Sequence, residues 1–256
     1  MRKPDAIVGI GASAGGLEAL QNFVRAIPKD TGIAYVVVQH LAPDHPSIMD
    51  RLLGEQADIA VSKIEDGARL EPDHIYVIPA GPFVEVKDGR FTLTDHAREE
   101  GVRTPIDRFF ASLAEYAGRD AFAVVLSGTG SDGTIGVRSV KEDGGIALVQ
   151  ESESAQFPGM PNSAAATGLV DFVLRPAEMP DKIVEIVEHR RMLDRDGKRD
   201  RLAEDVETRL SEILEAINDD ANISFSDYKP GTLVRRVMRR MIILRQSTVD
   251  GFLETL

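Results

Sequence analysis

The stretch Tyr35-Val36-Val37-Val38 sets the strongest limit on what this chain can become. Its side chains are all β-branched or aromatic, so a strand built from them offers no polar face to water. Such a strand must be covered on both sides, as in a parallel sheet between two layers of helices. Comparable short apolar runs occur at Ala6–Gly11, Ile75–Ile78, Ala121–Leu126, Ile146–Val149 and Val170–Leu174. Between the first two runs, Leu17, Leu20, Phe23, Val24 and Ile27 recur at the three- and four-residue spacing of a helix. Further helices are expected near 105–117, 133–142 and 180–191. Repeated strand–helix units predict an α/β fold: a mainly parallel, doubly wound sheet flanked by helices. Val84–Leu93 alternates around Asp88-Gly89, the dipeptide of a tight turn, and predicts an antiparallel β-hairpin beside that sheet.

Past residue 191 the strand signals stop. The expected organisation is an α/β domain over 1–191, a charged linker over 192–204 and a small all-α segment over 205–256. The stretch Asp194–Arg201 has no apolar residue to anchor it, which suggests an exposed linker or a charged continuation of a helix. Val206, Leu210, Ile213, Leu214 and Ile217 form one apolar stripe; Leu233, Val237, Met241 and Leu244 form another. On the remaining face of the second stripe stand Arg235, Arg236, Arg239 and Arg240, either a docking surface or a solvated helix face. Charge is polarised here, with 5 basic and 11 acidic residues over 192–227 but 6 basic and none acidic over 228–249.

Composition removes whole classes of function. With 42 acidic against 30 basic residues the net charge is -12, which disfavours a nucleic-acid binder that neutralises phosphates with clustered Lys and Arg. The chain has no cysteine, excluding a disulfide framework, a thiolate metal site and a cysteine nucleophile. No apolar stretch approaches the roughly 18 residues of a membrane span, and Met1–Asp5 runs into a strand without a signal-peptide core. A cytoplasmic protein with no direct membrane insertion is expected.

Three strand exits carry chemistry. Gly11-Ala12-Ser13-Ala14-Gly15 satisfies G-x-S-x-G between a strand and a helix, where small residues permit the sharp turn that lifts a serine hydroxyl out of the sheet edge. The helix N-terminus behind it suits a developing oxyanion; the plainer alternative is a serine that caps the helix. Gly9–Ala14 also fits the dinucleotide fingerprint, but the next strand ends Gln39-His40 rather than in the acid that would hold a ribose. His40 lies at the sheet's carboxyl edge as a candidate general base. His45 follows without a third ligand, so no metal site is expected. The loop Ser127–Gly133 holds Asp132, which could orient the imidazole, or simply cap a helix.

Together these residues resemble the catalytic domain of the chemotaxis receptor methylesterases, the CheB-type protein-glutamate methylesterases. The matching motifs are Gly9–Gly16, Val38-Gln39-His40-Leu41, Pro79-Ala80-Gly81, Leu126–Gly133 and Phe157–Pro161, in the family's order across roughly residues 5–190. The resemblance implies Ser13 as nucleophile, His40 as base and Asp132 as orienting carboxylate, with Ala14 and Thr129 bordering the oxyanion. It implies hydrolysis of glutamyl methyl esters on methyl-accepting chemotaxis receptors with release of methanol. Some members also deamidate receptor glutamines. No metal or organic cofactor is required.

Ala14 stands where the family often has threonine, and Thr129 where methionine is common, so rate and specificity are the properties those positions bear on. Family members usually carry an N-terminal receiver domain, and here the first strand begins almost at once. The helical segment resembles the start of the N-terminal domain of the chemotaxis receptor methyltransferases (CheR-type) through Phe225, Tyr228-Lys229, Thr232-Leu233, Arg235-Arg236 and Arg239–Met241. In that family a basic helix faces the receptor. The pair of resemblances implies part of a methylesterase–methyltransferase fusion. The alternative is a methylesterase fold kept as a scaffold with weak turnover.

Overall fold

The computed structural model describes residues 3–39, 48–94, 104–221, Phe225 and 228–256. It divides into two compact units, Met1–Lys182 and Ile183–Leu256.

The first unit is built on β1 (Ala6–Ala12), β2 (Ile33–Gln39), β3 (Ala60–Lys63), β4 (His74–Val77), β7 (Ala121–Val125), β8 (Ile146–Gln150) and β9 (Phe172–Leu174). These form one seven-stranded sheet in the order β3-β4-β2-β1-β7-β8-β9. Every neighbouring pair is parallel. β5 (Phe83–Lys87) and β6 (Arg90–Thr94) make the separate antiparallel hairpin, turning at Asp88-Gly89 as expected. From β1 the chain winds outward through β2 toward β4 and β3; from β7 it winds the other way. The strand order therefore reverses between β1 and β7, and in open α/β sheets the crevice outside the strands' carboxyl ends at such a point is where ligands bind.

Helices cover both faces. α1 (Gly16–Arg25) lies on one, where Phe23 meets Tyr35 of β2 with ring centroids 6.1 Å apart. On the other, α3 (Pro105–Ala117), α4 (Thr134–Glu142) and α5 (Gly159–Ala165) bury Phe109, Phe110, Val137 and Met160 against Val36, Val125 and Val149. Each such side chain removed from water contributes about 1.5–3 kcal/mol. β1 carries glycine where α3 crosses it. A Cβ on Gly11 would fall 2.5 Å from Ile106 Cγ2, and one on Gly9 2.9 Å from Phe110 Cε1. That close approach brings the N-terminus of α3 to the sheet's carboxyl edge.

Three elements had no clear pattern in the sequence: α2 (Met49–Gly54), α5 and the edge strand β3. β9 starts at Phe172 rather than Val170.

The second unit is helical. α6 (Met179–Asp194) crosses the division between units, and α7 (Lys198–Thr208), α8 (Leu210–Ala221), α9 (Pro230–Ile243) and α10 (Val249–Leu253) follow. Residues 192–204, expected as a linker, run through the end of α6, a 3-10 turn at Arg195–Gly197 and the start of α7. Leu202, one residue past the all-polar run, is buried and anchors the helix. Of the two stripes, Val206, Ile213, Leu233, Val237 and Met241 are buried, joined by Met238, Ile242 and Phe252, whereas Leu210, Leu214, Ile217 and Leu244 are half-buried; the first stripe is divided between α7 and α8, which break at Arg209.

Candidate active site

β1 ends in a turn whose every position is fixed. Ser13 N–H donates to Ser127 O at 3.0 Å, and Leu126 N–H donates to Gly11 O at 2.8 Å, so the β1–β7 pairing continues past both strands. Gly16 N–H then donates back to Ser13 O at 2.9 Å, closing the turn. Gly15 has φ +67°, and a Cβ there would come 2.6 Å from Gln156 Oε1 and 2.8 Å from the Phe157 ring. Backbone conformation and space therefore both demand glycine. No described residue accepts from the N–H of Ala14 or Gly15. These two donors stand at the N-terminus of α1, where the helix dipole favours negative charge. Ser13 is half-buried and Ala14 exposed, and both line an open cleft of about 440 Å³ with Glu18, Gln39 and Gln156.

The exit of β7 is held as firmly. Asp132 is buried, with Oδ2 accepting from Ile106 N–H at 3.0 Å and Oδ1 from the N–H of Asp107 and Gly133, each at 2.9 Å. Two of those donors open α3. The Asp132 carboxylate is thus placed by backbone groups rather than by mobile side chains. Behind it, Ser127 Oγ accepts from Phe157 N–H at 3.0 Å and donates to Ala14 O at 3.1 Å. Gln150, at the end of β8, accepts from Ser127 N–H at 2.8 Å and donates to Ser154 O at 2.9 Å. One buried hydroxyl and one buried amide therefore lock the exits of β1, β7 and β8 together. Gly128 completes the contact: a Cβ there would lie 2.9 Å from Ser13 Cβ and 2.1 Å from Met160 Sδ.

Of the residues singled out from sequence, Ser13 and Asp132 follow the two strands that flank the switch point. His40 lies outside the described residues, as does His45; its predecessor Gln39 pairs in register with Ala12, the residue before Ser13. Ala14 lies in the cleft wall, whereas Thr129 is exposed and is not among the residues lining the cleft. In the helical unit Arg235, Arg236 and Arg240 are exposed, with Arg236 5.1 Å from the Tyr228 ring centre. Arg239 departs from the expected shared face. It is half-buried, and burial pulls its guanidinium down to about 10. Sequence reasoning passed over Asp107, Gln150, Gln156 and the hydroxyl of Ser127. Only Asp107 had a local signal, an acid in the first turn of a helix.

Several large apolar side chains are exposed. In the first unit they are Leu17, Ile48, Ile135, Phe157 and Val173, and the first four follow β1, β2, β7 and β8.

Ser13 sits on a sharp strand-to-helix turn at the switch point of a doubly wound parallel sheet, so the chain is an α/β protein with its candidate site at the sheet's carboxyl edge. The comparisons narrow this. Residues 8–183 match the family model for CheB methylesterase, and residues 208–256 match that for the CheR methyltransferase all-alpha domain. The chain belongs to the CheB methylesterase family. It is similar to the crystal structure of the Thermotoga maritima CheB methylesterase catalytic domain, with 31% identity and a TM-score of 0.65, over 71% of this chain and 98% of that one. A protein-glutamate methylesterase/protein-glutamine glutaminase from Photorhabdus laumondii is 32% identical over 70% of this chain and 52% of its own length. An uncharacterized 104.1 kDa protein of Rhodobacter capsulatus is 35% identical over 81% of this chain and 24% of its own. The chain spans about half the length of the curated methylesterases it matches, and less of the Rhodobacter protein. Among the described residues no helix is long and apolar enough to cross a membrane.

Proposed function

We propose that this protein hydrolyses methyl esters of glutamate side chains on methyl-accepting chemotaxis receptors, acting in the cytoplasm. The observation that carries this reading is the Ser13 turn: a half-buried hydroxyl lining an open cleft, beside two N–H donors that no described residue uses. Ser13 Oγ attacks the ester carbonyl while His40 takes its proton. The carbonyl oxygen gathers negative charge against Ala14 N–H and the α1 N-terminus. The carbon–methoxy bond then breaks, His40 returns the proton to the leaving methoxide, and methanol departs. Water attacks the acyl-enzyme by the same route and releases the glutamate carboxylate. Asp132, held by backbone N–H groups, orients His40 and offsets the imidazolium charge. Exposed Leu17, which lines the cleft, and exposed Phe157, whose ring lies beside Gly15, suit a macromolecular substrate better than a small ester. The same acyl-enzyme route serves glutamine side chains, with ammonia leaving in place of methanol. In the helical unit, Arg235, Arg236 and Arg240 are exposed cations available to an acidic receptor surface.

The test is methanol release from membranes bearing radiomethylated receptors, comparing the parent with Ser13→Ala. Release by the parent and background release by the variant is expected. Equal release from both would remove Ser13 as nucleophile, and background release from both would favour a scaffold.

A further inference from the structure

The site contains a second buried carboxylate, Asp107, which the three-residue reading leaves without a task. Asp132 precedes α4 yet accepts from the first N–H groups of α3. Asp107 lies in the first turn of α3 and accepts from Gly136 N–H, in the first turn of α4, at 2.8 Å. The start of each helix is therefore capped by a carboxylate from the other's N-terminal end, Asp132 just before α4 and Asp107 within α3. The exchange is tight, because a Cβ on Gly136 would meet Phe110 Cβ at 2.6 Å and Asp107 Cα at 3.0 Å. Burial first, and then the facing Asp132 charge, push Asp107 above the usual carboxylate range, while the N–H groups of Gly136, Gly133 and Ile135 pull it back.

An asparagine would cap α4 as well as an aspartate, since the two are near-equal caps. It would also avoid placing one carboxylate against another. What capping leaves unexplained is the charge. Geometry connects that charge to the chemistry, because the chain leaving β7 through Asp132 is pinned to α3 by Asp132 itself and to Asp107 by Gly136. We propose that Asp107 is a positioning residue for hydrolysis that acts through Asp132: the exchanged caps fix the height of the Asp132 loop, and the Asp107 charge makes the Asp132 carboxylate a stronger acceptor for the protonated base. This rests on the Ser13–His40–Asp132 reading.

The test is a double-mutant cycle on the full chain, with receptor methyl-ester hydrolysis resolved into kcat and KM. Asp107→Asn keeps an acceptor for Gly136 and removes the charge, and a kcat loss of roughly tenfold at unchanged KM is expected. In an Asp132→Asn background the same change should have little further effect, because the residue acts through Asp132. Asp107→Ser, a short uncharged cap, gives a second route should the asparagine variant not fold. Parent-like kcat in the folded uncharged variants, or an equal loss with and without Asp132, would overturn the proposal. Full activity in Ser13→Ala would instead overturn the triad reading on which it stands.

Discussion

The site of the α/β unit and the charge cluster of the helical unit hold their polar groups in different ways. In the α/β unit Asp132, Asp107, Ser127 and Gln150 are buried, and each accepts a hydrogen bond from a backbone N–H. Their positions follow directly from the positions of strands and helices. In the helical unit Arg209 forks across Glu212, with contacts of 2.8 and 2.9 Å, and reaches Asp250 at 2.6 Å, all near the surface. Those charges hold Arg209 above its ordinary range and Glu212 below its own. Surface pairs between side chains are screened by salt and contribute little. Buried polar groups tied to backbone are where an α/β unit can fix atoms closely enough for catalysis, so the first unit should answer to small displacements and the second to loss of apolar packing.

The sharpest way to break that contrast is Gly128→Ala. Its new methyl would overlap Met160 Sδ and crowd Ser13 Cβ. Displacing the nucleophile by about 1 Å is expected to lower kcat roughly 100-fold, with the fold retained. Adding Met160→Ala should restore part of the loss, and steady-state hydrolysis of methylated receptors by the two variants checks this. An unimpaired Gly128→Ala enzyme would show that the β1–β7 exit is softer than the contacts imply.

A smaller effect is expected from Met241→Ala, which empties a fully buried position in α9. The helical unit should lose about 2–5 kcal/mol. Calorimetry should show one transition lowered while ester hydrolysis below that transition stays unchanged. A matching loss of activity would mean that the two units share more than a chain.

The smallest effect concerns pH. Burial holds His189 of the helical unit below its ordinary 6.5, the carbonyl of Gln246 opposing this and the charge of Arg245 adding to it. Burial also lowers His74 of the α/β unit, against the charge of Glu71. For a histidine lowered in the folded state, the unfolded chain takes up its proton first. Stability is therefore full above about 6.5 and declines as pH falls through and below that value. His189→Gln should flatten the acid side of the helical unit's melting curve and leave that of the α/β unit sloped. Unfolding midpoints measured from about pH 5 to about pH 8 would reveal a slope that survives the substitution.

The sequence showed the fold where burial runs along the chain. Tyr35–Val38 and Ala121–Val125 lie in strands covered on both faces, and no alternative pattern competes with them. β3 escaped notice because Ala60-Val61-Ser62-Lys63 is an edge, half exposed and defined by its register with β4 rather than by its own side chains. The short helices α2 and α5 offer too few turns for a period to show. For the site, the G-x-S-x-G turn marked Ser13 because its geometry is local. Of the backbone N–H groups that donate to Asp132, two lie 25 and 26 residues earlier, and backbone donors carry no residue-type signature. Arg239 was placed with its neighbours for the opposite reason: helical spacing gives a face, but not how far the core reaches around it.

The pairing of β1 with β7 also sets a clock. Ser13 N–H waits for the carbonyl of Ser127, and the two strands are separated by residues 13–120. At roughly 5–20 residues per second on the ribosome, that gap takes on the order of 5–20 s to synthesise. During that interval β1 and β2 can pair while β1's other edge stands open. A nascent chain released or cleaved before β7 emerges would carry the serine with nothing to hold its turn, and would expose an unpaired apolar strand. Competence for chemistry and protection from aggregation therefore arrive in the same event.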